Sequence, residues 1–217
     1  MHTSRVENMH SEKGLQKMKV IGLTGNIGSG KSSVARFLQN LGAGFIDADK
    51  VTHEIYNPGT AGWQAVVDAF GRDILDAKEE IDRNKLAQKV FSSPENHEKL
   101  NRILHPLIRK EVEARLEQLR RQGKGVAVLE AILLVEAGWM DMVDELWLVV
   151  APKDLTLRRL EGRGVSESEA LARLAKQPPP EKKMGYASQV INNEGNLEDL
   201  RKKVENLWQA LHNEKKG

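Results

Sequence analysis

The sequence predicts an α/β fold: a five-stranded parallel sheet between two helical layers, carrying a helical insertion and a basic lid. Three observations predict it. Short runs rich in Val, Ile and Leu alternate with segments of helical periodicity, as strands buried on both faces and their crossover helices do. The run Gly25-Asn26-Ile27-Gly28-Ser29-Gly30-Lys31-Ser32 fits the pattern G-x-x-x-x-G-K-[ST] and sits where an apolar strand gives way to a helix. Residues 57–123 separate the second strand from the third, too long a crossover for one helix.

In chain order, residues 1–17 are polar and lack the apolar segment of a signal peptide. They read as a disordered extension in which His2 and His10 have no role. The first strand covers 19–24. The helix after the glycine-rich run presents Val34, Phe37, Leu38 and Leu41 on one face. The second strand, 43–47, ends in Asp47-Ala48-Asp49. Within 57–123, Leu100, Ile103, Leu104, Leu107, Ile108, Val112, Leu116 and Leu119 keep a spacing of three to four. Pro106 marks the start of a new helix there, because proline inside a helix is costly. The third and fourth strands cover 125–130 and 145–150. A second insertion, 163–183, holds the triple proline Pro178-Pro179-Pro180, which reads as a rigid turn. The fifth strand is 189–191. The last helix, 197–212, buries Leu200, Val204, Leu207, Trp208 and Leu211, and 213–217 is a tail. The chain is thus one domain over 18–212. Its core is 18–56 and 124–212, its helical insertion 57–123 and its lid 163–183.

Composition narrows the function classes. The 217 residues are 40% hydrophobic and 29% charged, as expected of a soluble globular protein. A formal net charge of +2 argues against nucleic-acid binding through bulk charge. The absence of cysteine excludes disulfides, thiolate metal sites and a cysteine nucleophile. No apolar stretch approaches the roughly 20 residues that span a membrane. Composition thus argues against nucleic acid and a membrane as partners, and no obligate protein partner is evident; it does not by itself fix the compartment, for which the cytoplasm is the expectation.

The glycine-rich run is a P-loop, so the expected architecture is the three-layer P-loop NTPase type. Its glycines let backbone N–H groups of Asn26, Ile27, Gly28, Ser29 and Gly30 turn inward around phosphate, and the following helix adds positive potential. Lys31 reaches the β/γ-phosphates and the Ser32 hydroxyl, with Ser33 beside it, meets Mg²⁺. Ligands of open α/β sheets bind beyond the carboxyl ends of the strands, which brings Asp47 and Asp49 near those phosphates. Alternation puts the two on one side if the strand continues that far. Asp49 then either accepts a proton from an attacking hydroxyl or caps the following helix. Glu130, ending the third strand, either contacts Mg²⁺ or begins a solvated loop. His105 and Arg109 lie in the helical insertion, where Arg109 has the chemistry to bind an anion and His105 that of a cap or hydrogen-bonder. Arg158, Arg159, Arg163, Arg173 and Lys176 form either a solvated helix face or a lid over ATP hinged at Gly162 and Gly164.

This combination resembles the dephospho-coenzyme A kinases, which typically open with Ile-Gly-Leu-Thr-Gly-Gly-Ile-Gly-Ser-Gly-Lys-Ser. Residues 21–32 match it, with Asn26 for the usual second glycine, and asparagine tolerates positive φ. Asp47-Ala48-Asp49, the run 104–109, the segment 163–177 and Val190-Ile191-Asn192-Asn193 also look like the family. Residues 131–136 depart from its usual Val-Pro-Leu-Leu-Phe-Glu, and Glu130 stands where Asp is common. The resemblance implies transfer of the ATP γ-phosphate to the ribose 3′-hydroxyl of dephospho-CoA. It implies Asp49 as general base, with Gly28, Gly30 and Lys31 on phosphate and Ser32 on Mg²⁺. It further implies Arg163 as the lid arginine, Arg109, His105 and the insertion on the CoA moiety, and Asn193 near adenine. Around Mg²⁺ it leaves open how Asp47, Glu130 and Glu136 divide the work, with Glu130 the candidate ligand beside Ser32. Two other readings stand beside it: a kinase for a nucleoside, nucleotide or small alcohol, and a nucleotide-dependent switch. A GTPase switch needs an Asn-Lys-x-Asp motif after a late strand, and the fourth strand is followed instead by Ala151-Pro152-Lys153-Asp154.

Overall fold

The computed structural model describes residues 18–213, so the predicted extension 1–17 and most of the tail lie outside the described residues. The five strands are β1 (Lys19–Thr24), β2 (Gly44–Asp47), β3 (Val126–Glu130), β4 (Glu145–Val150) and β5 (Gln189–Asn192). They form one all-parallel sheet in the order β2-β3-β1-β4-β5. Each lies within one or two residues of the predicted position.

The strands sort their side chains by alternation. Val20, Ala127, Leu129 and Leu146 enter one core, and Ile21, Leu23, Val128, Trp147 and Val149 enter the other. The second face is covered by α1 (Lys31–Asn40) and α9 (Leu197–Asn213) through Val34, Leu38, Leu200 and Val204. The first is covered by α2 (Ala48–Ile55), α3 (Ala61–Phe70), α4 (Arg83–Phe91) and α5 (Pro94–Arg121). Three layers result, with the insertion supplying one of them.

One predicted boundary is overturned. Pro106 does not start a helix: α5 runs unbroken from Pro94 to Arg121 with Pro106 inside it. The true start is set by Ser93, whose hydroxyl accepts from the Asn96 N–H, with Pro94 in the first turn. Leu104, Ile108, Val112 and Leu116, one per turn, are buried against the other insertion helices. That burial outweighs the proline penalty, and Pro106 itself faces solvent. Beyond β4, the chain forms α6 (Lys153–Glu161), α7 (Glu167–Ala175) and α8 (Glu181–Met184) before returning to β5.

Candidate active site

The P-loop joins β1 to α1 and its shape is fixed by close approach. Gly30 starts α1 with φ of 103°, and a Cβ there would meet the Asn193 amide nitrogen at 2.1 Å. Gly25, with φ of 146°, lies under the Val149 carbonyl, 2.3 Å from where a Cβ would be. Asn26 needs no such tolerance: among the described residues the only non-glycine with positive φ is Glu79. Its side-chain amide instead donates to the Pro178 carbonyl at 3.3 Å. Lys31 is buried and its ammonium donates to the carbonyls of Gly25 (2.8 Å) and Asn26 (3.2 Å), across the mouth of the loop. Ser32 is exposed and Ser33 half-buried in the first turn of α1.

Asp47 and Glu130 end neighbouring strands in register, so two carboxylates stand side by side at the C-terminal edge of the sheet. The acidic triplet departs from the cap reading of Asp49, and the strand does not continue through it. The strand stops at Asp47, and Asp47, not Asp49, caps α2 by accepting from the Lys50 N–H at 3.0 Å. Asp49 is left in the first helical turn with His53 one turn further on. Partial loss of water raises the Asp49 pKa, the neighbouring Asp47 charge raises it further, and Lys31 and His53 pull it back. Burial likewise raises that of Glu130, against the pull of Lys31, with Asp47 and Asp49 adding to the rise. Burial lowers the Lys31 pKa, which Glu130 and Asp49 oppose and Lys183 and Arg163 reinforce. Lys31, Asp47, Asp49, Glu130 and Arg163 therefore form one electrostatic unit. Among the described residues no three acidic or histidine side chains converge as a self-contained metal cage.

Arg163 sits exposed in the turn after α6, between Gly162 and the left-handed Gly164. Asn193 is buried and donates to the Ser29 carbonyl at 2.7 Å, while its own oxygens accept from Arg159 at 3.1 and 3.2 Å. The last strand is thereby locked onto the P-loop. His105 is exposed on α5. One turn on, Arg109 makes two bonds to Asp141 (3.0 and 2.6 Å) and one to Glu113 (2.8 Å), which raise its pKa. A groove of about 300 Å³ runs between α2, α4 and α5, lined by Thr52, His53, Tyr56, Leu86, Val90 and Leu100. It continues the α2 face that carries Asp49, whereas His105 and Arg109 do not line it. Burial pushes the Tyr56 phenol up to about 12.

Three contacts escaped the sequence reading. The Gln177 side chain accepts from the Ile27 N–H at 2.9 Å, Arg159 bridges Asn193 and Ser29, and Lys183 is fully buried against the turn after β3. Gln177 had a signal in its place directly before the triple proline. Lys183 had none, since Glu181-Lys182-Lys183 reads as a solvated charge run. Glu136 is paired with this lysine at 3.5 Å.

The model of one protein family, described as dephospho-CoA kinase, matches residues 19–199. The chain belongs to the dephospho-CoA kinase family. A dephospho-CoA kinase of Geobacter sulfurreducens is 45% identical over 192 residues, which cover 88% of this chain and 98% of that one. Among solved structures, a protein from Thermus thermophilus aligns with a TM-score of 0.75 at 33% identity, covering 89% of this chain and 98% of its own. The dephospho-CoA kinase of Campylobacter jejuni aligns with a TM-score of 0.68 at 27% identity, covering 90% and 98%. As a member of the dephospho-CoA kinase family the chain is a phosphotransferase built on the P-loop kinase fold. No helix among the described residues is long and apolar enough to cross a membrane.

Proposed function

We propose that this chain transfers the γ-phosphate of ATP to the ribose 3′-hydroxyl of dephospho-CoA, forming CoA and ADP, the last step of CoA biosynthesis. The observation that carries the reading is the electrostatic unit of Lys31, Asp49 and Glu130 at the C-terminal edge of the sheet. Phosphoryl transfer requires a base, a phosphate-binding cation and a metal-type carboxylate together, and the neighbourhood of these three residues supports that assignment. Asp49 orients the 3′-hydroxyl and takes its proton as the oxygen bonds to the γ-phosphorus and the bond to the β-phosphate oxygen breaks. Its raised pKa makes it a better proton acceptor than an ordinary aspartate. Lys31 and the N–H groups of residues 26–33 hold the β/γ-phosphates. Arg163 approaches the transferring group from the lid, and Asn193 stands on the adenine side.

The Ser32 hydroxyl and the Glu130 carboxylate, with Asp47 beside it, suit Mg²⁺: they are hard oxygen donors, too few to hold the ion without phosphate oxygens and water. When bound, Mg²⁺ neutralises charge on the β/γ-phosphates. The α2–α4–α5 groove is the berth for the acceptor's arm, because it leads away from Asp49 along one helix face and is largely apolar. Arg109 and His105, further along α5, serve the anionic end of the acceptor. The same reading makes the protein cytoplasmic.

The test is incubation with ATP, Mg²⁺ and dephospho-CoA, with mass spectrometry for CoA, beside parallel reactions on adenosine, pantothenate and AMP. CoA formed from dephospho-CoA alone is the expected result. Turnover of another acceptor in preference to dephospho-CoA would overturn the reading.

A further inference from the structure

Lys183 is the one lysine of the described residues whose side chain is wholly out of water, at 0% exposure, and the reaction as drawn above makes no use of it. Its ammonium donates to the Ile132 carbonyl and lies 3.5 Å from the Glu136 carboxylate. Both partners belong to the stretch of turn that follows β3 and Glu130, Ile132 at its start and Glu136 within it. The same Ile132 carbonyl accepts from the Thr24 hydroxyl at 3.0 Å, and the Ala131 N–H donates to the Leu23 carbonyl at 3.1 Å. Thr24 immediately precedes the P-loop. Lys183 itself lies on α8, where its N–H donates to the Pro180 carbonyl at 2.9 Å. A few residues upstream, Pro178 and Gln177 bond Asn26 and Ile27 of the P-loop. The stretch 177–183 is therefore stitched to the P-loop at one end and to the turn after β3 at the other.

Burying an ammonium is costly, and a carbonyl with a half-exposed carboxylate offsets that poorly. An apolar side chain of the same length fills the same space without the cost. What the lysine adds is geometry: two partners at fixed separation specify where the turn sits, as buried ion pairs do when they set register rather than stability. Building on the kinase reading, we infer that Lys183 is a positioning residue, which clamps the β3 exit turn and so holds Glu130 in register with the P-loop when the lid segment is seated. The positive charge it brings near Lys31 is consistent with this location.

Lys183→Met tests it, with Glu136→Gln as a milder companion that keeps the lysine and leaves an exposed site. Two readouts are needed. Kinetics on both variants should show kcat lowered by about tenfold or more in Lys183→Met, the range for outer supports of a metal or catalytic group, with KM for ATP within about threefold. The Mg²⁺ concentration for half-maximal rate should rise, and Glu136→Gln should move both quantities in the same direction by less. Hydrogen exchange without substrates should show faster exchange of the amides of 131–136 and 177–183 in Lys183→Met. If that variant does not fold, Glu136→Gln carries the kinetic and exchange tests alone. Folded variants with parental kcat, Mg²⁺ dependence and exchange would overturn the inference. A parent protein that makes no CoA would instead overturn the kinase reading, and the exchange comparison would still decide the clamp.

Discussion

The carboxylate of Asp49 has lost part of its water and faces Asp47, and both effects raise its pKa above the ordinary aspartate value of about 4. In the proposed role of base it works ionised, so the rate should climb with pH through this raised value, with the acid limb of kcat/KM displaced upward from an ordinary aspartate. Asp49→Asn should lower kcat by roughly 10²-fold or more, the scale of general-base loss, and leave ATP affinity near that of the parent. An unchanged kcat would reduce Asp49 to a helix residue. The sign for stability is opposite. A carboxylate whose folded pKa exceeds its unfolded one costs stability once ionised, so its contribution is best at low pH and is lost as pH rises through the folded value. Asp49→Asn and Glu130→Gln should therefore raise Tm at neutral pH, and the gain should vanish below the unfolded pKa. Calorimetry across pH checks it. These costs are what a site pays to hold acids beside a buried lysine.

At the scale of elements, α5 shows how tertiary burial overrides a local rule. Pro106 removes one backbone donor in mid-helix, yet four buried side chains on the opposite stripe keep the helix continuous. Pro106→Ala should restore the missing bond at an exposed position. Allowing for the greater freedom alanine gives the unfolded chain, the expected gain is about 1–2 kcal/mol in urea unfolding. Loss of stability would mean that the proline supports the bend or packing of α5. The acidic triplet makes the complementary point. Cap chemistry was legible there, but it belongs to Asp47, because the strand ends two residues earlier than alternation through Asp49 requires.

For the whole molecule, the parts of the proposed site come from distant stretches: the P-loop, the ends of β2 and β3, the turn after α6 and the end of β5. Ligand binding should therefore stabilise all of them together. Saturating ATP with Mg²⁺ should raise Tm, by about 2.7 kcal/mol of added stability at a hundredfold excess over Kd. Lys31→Ala should remove most of that shift, because the proposed reading puts this buried lysine on the phosphates, and differential scanning fluorimetry reads it directly. A full shift in Lys31→Ala would place the nucleotide elsewhere.

Local signals alone identified the α/β class, the five strands and the P-loop, because period-two and period-3.6 burial and a glycine-rich phosphate turn are written in short windows of sequence. They also named Lys31, Asp49, Glu130 and Arg163 as candidates. Local signals could not order the strands, let Pro106 pass inside a helix, or assign the cap to Asp47. Nor could they bring Asn193 and Arg159 onto Ser29, Gln177 onto Ile27, or Lys183 under the turn after β3. Those contacts join residues more than 30 positions apart, so no window of neighbours contains both partners. Packing decides them, because only the folded chain determines which carbonyl a buried side chain meets.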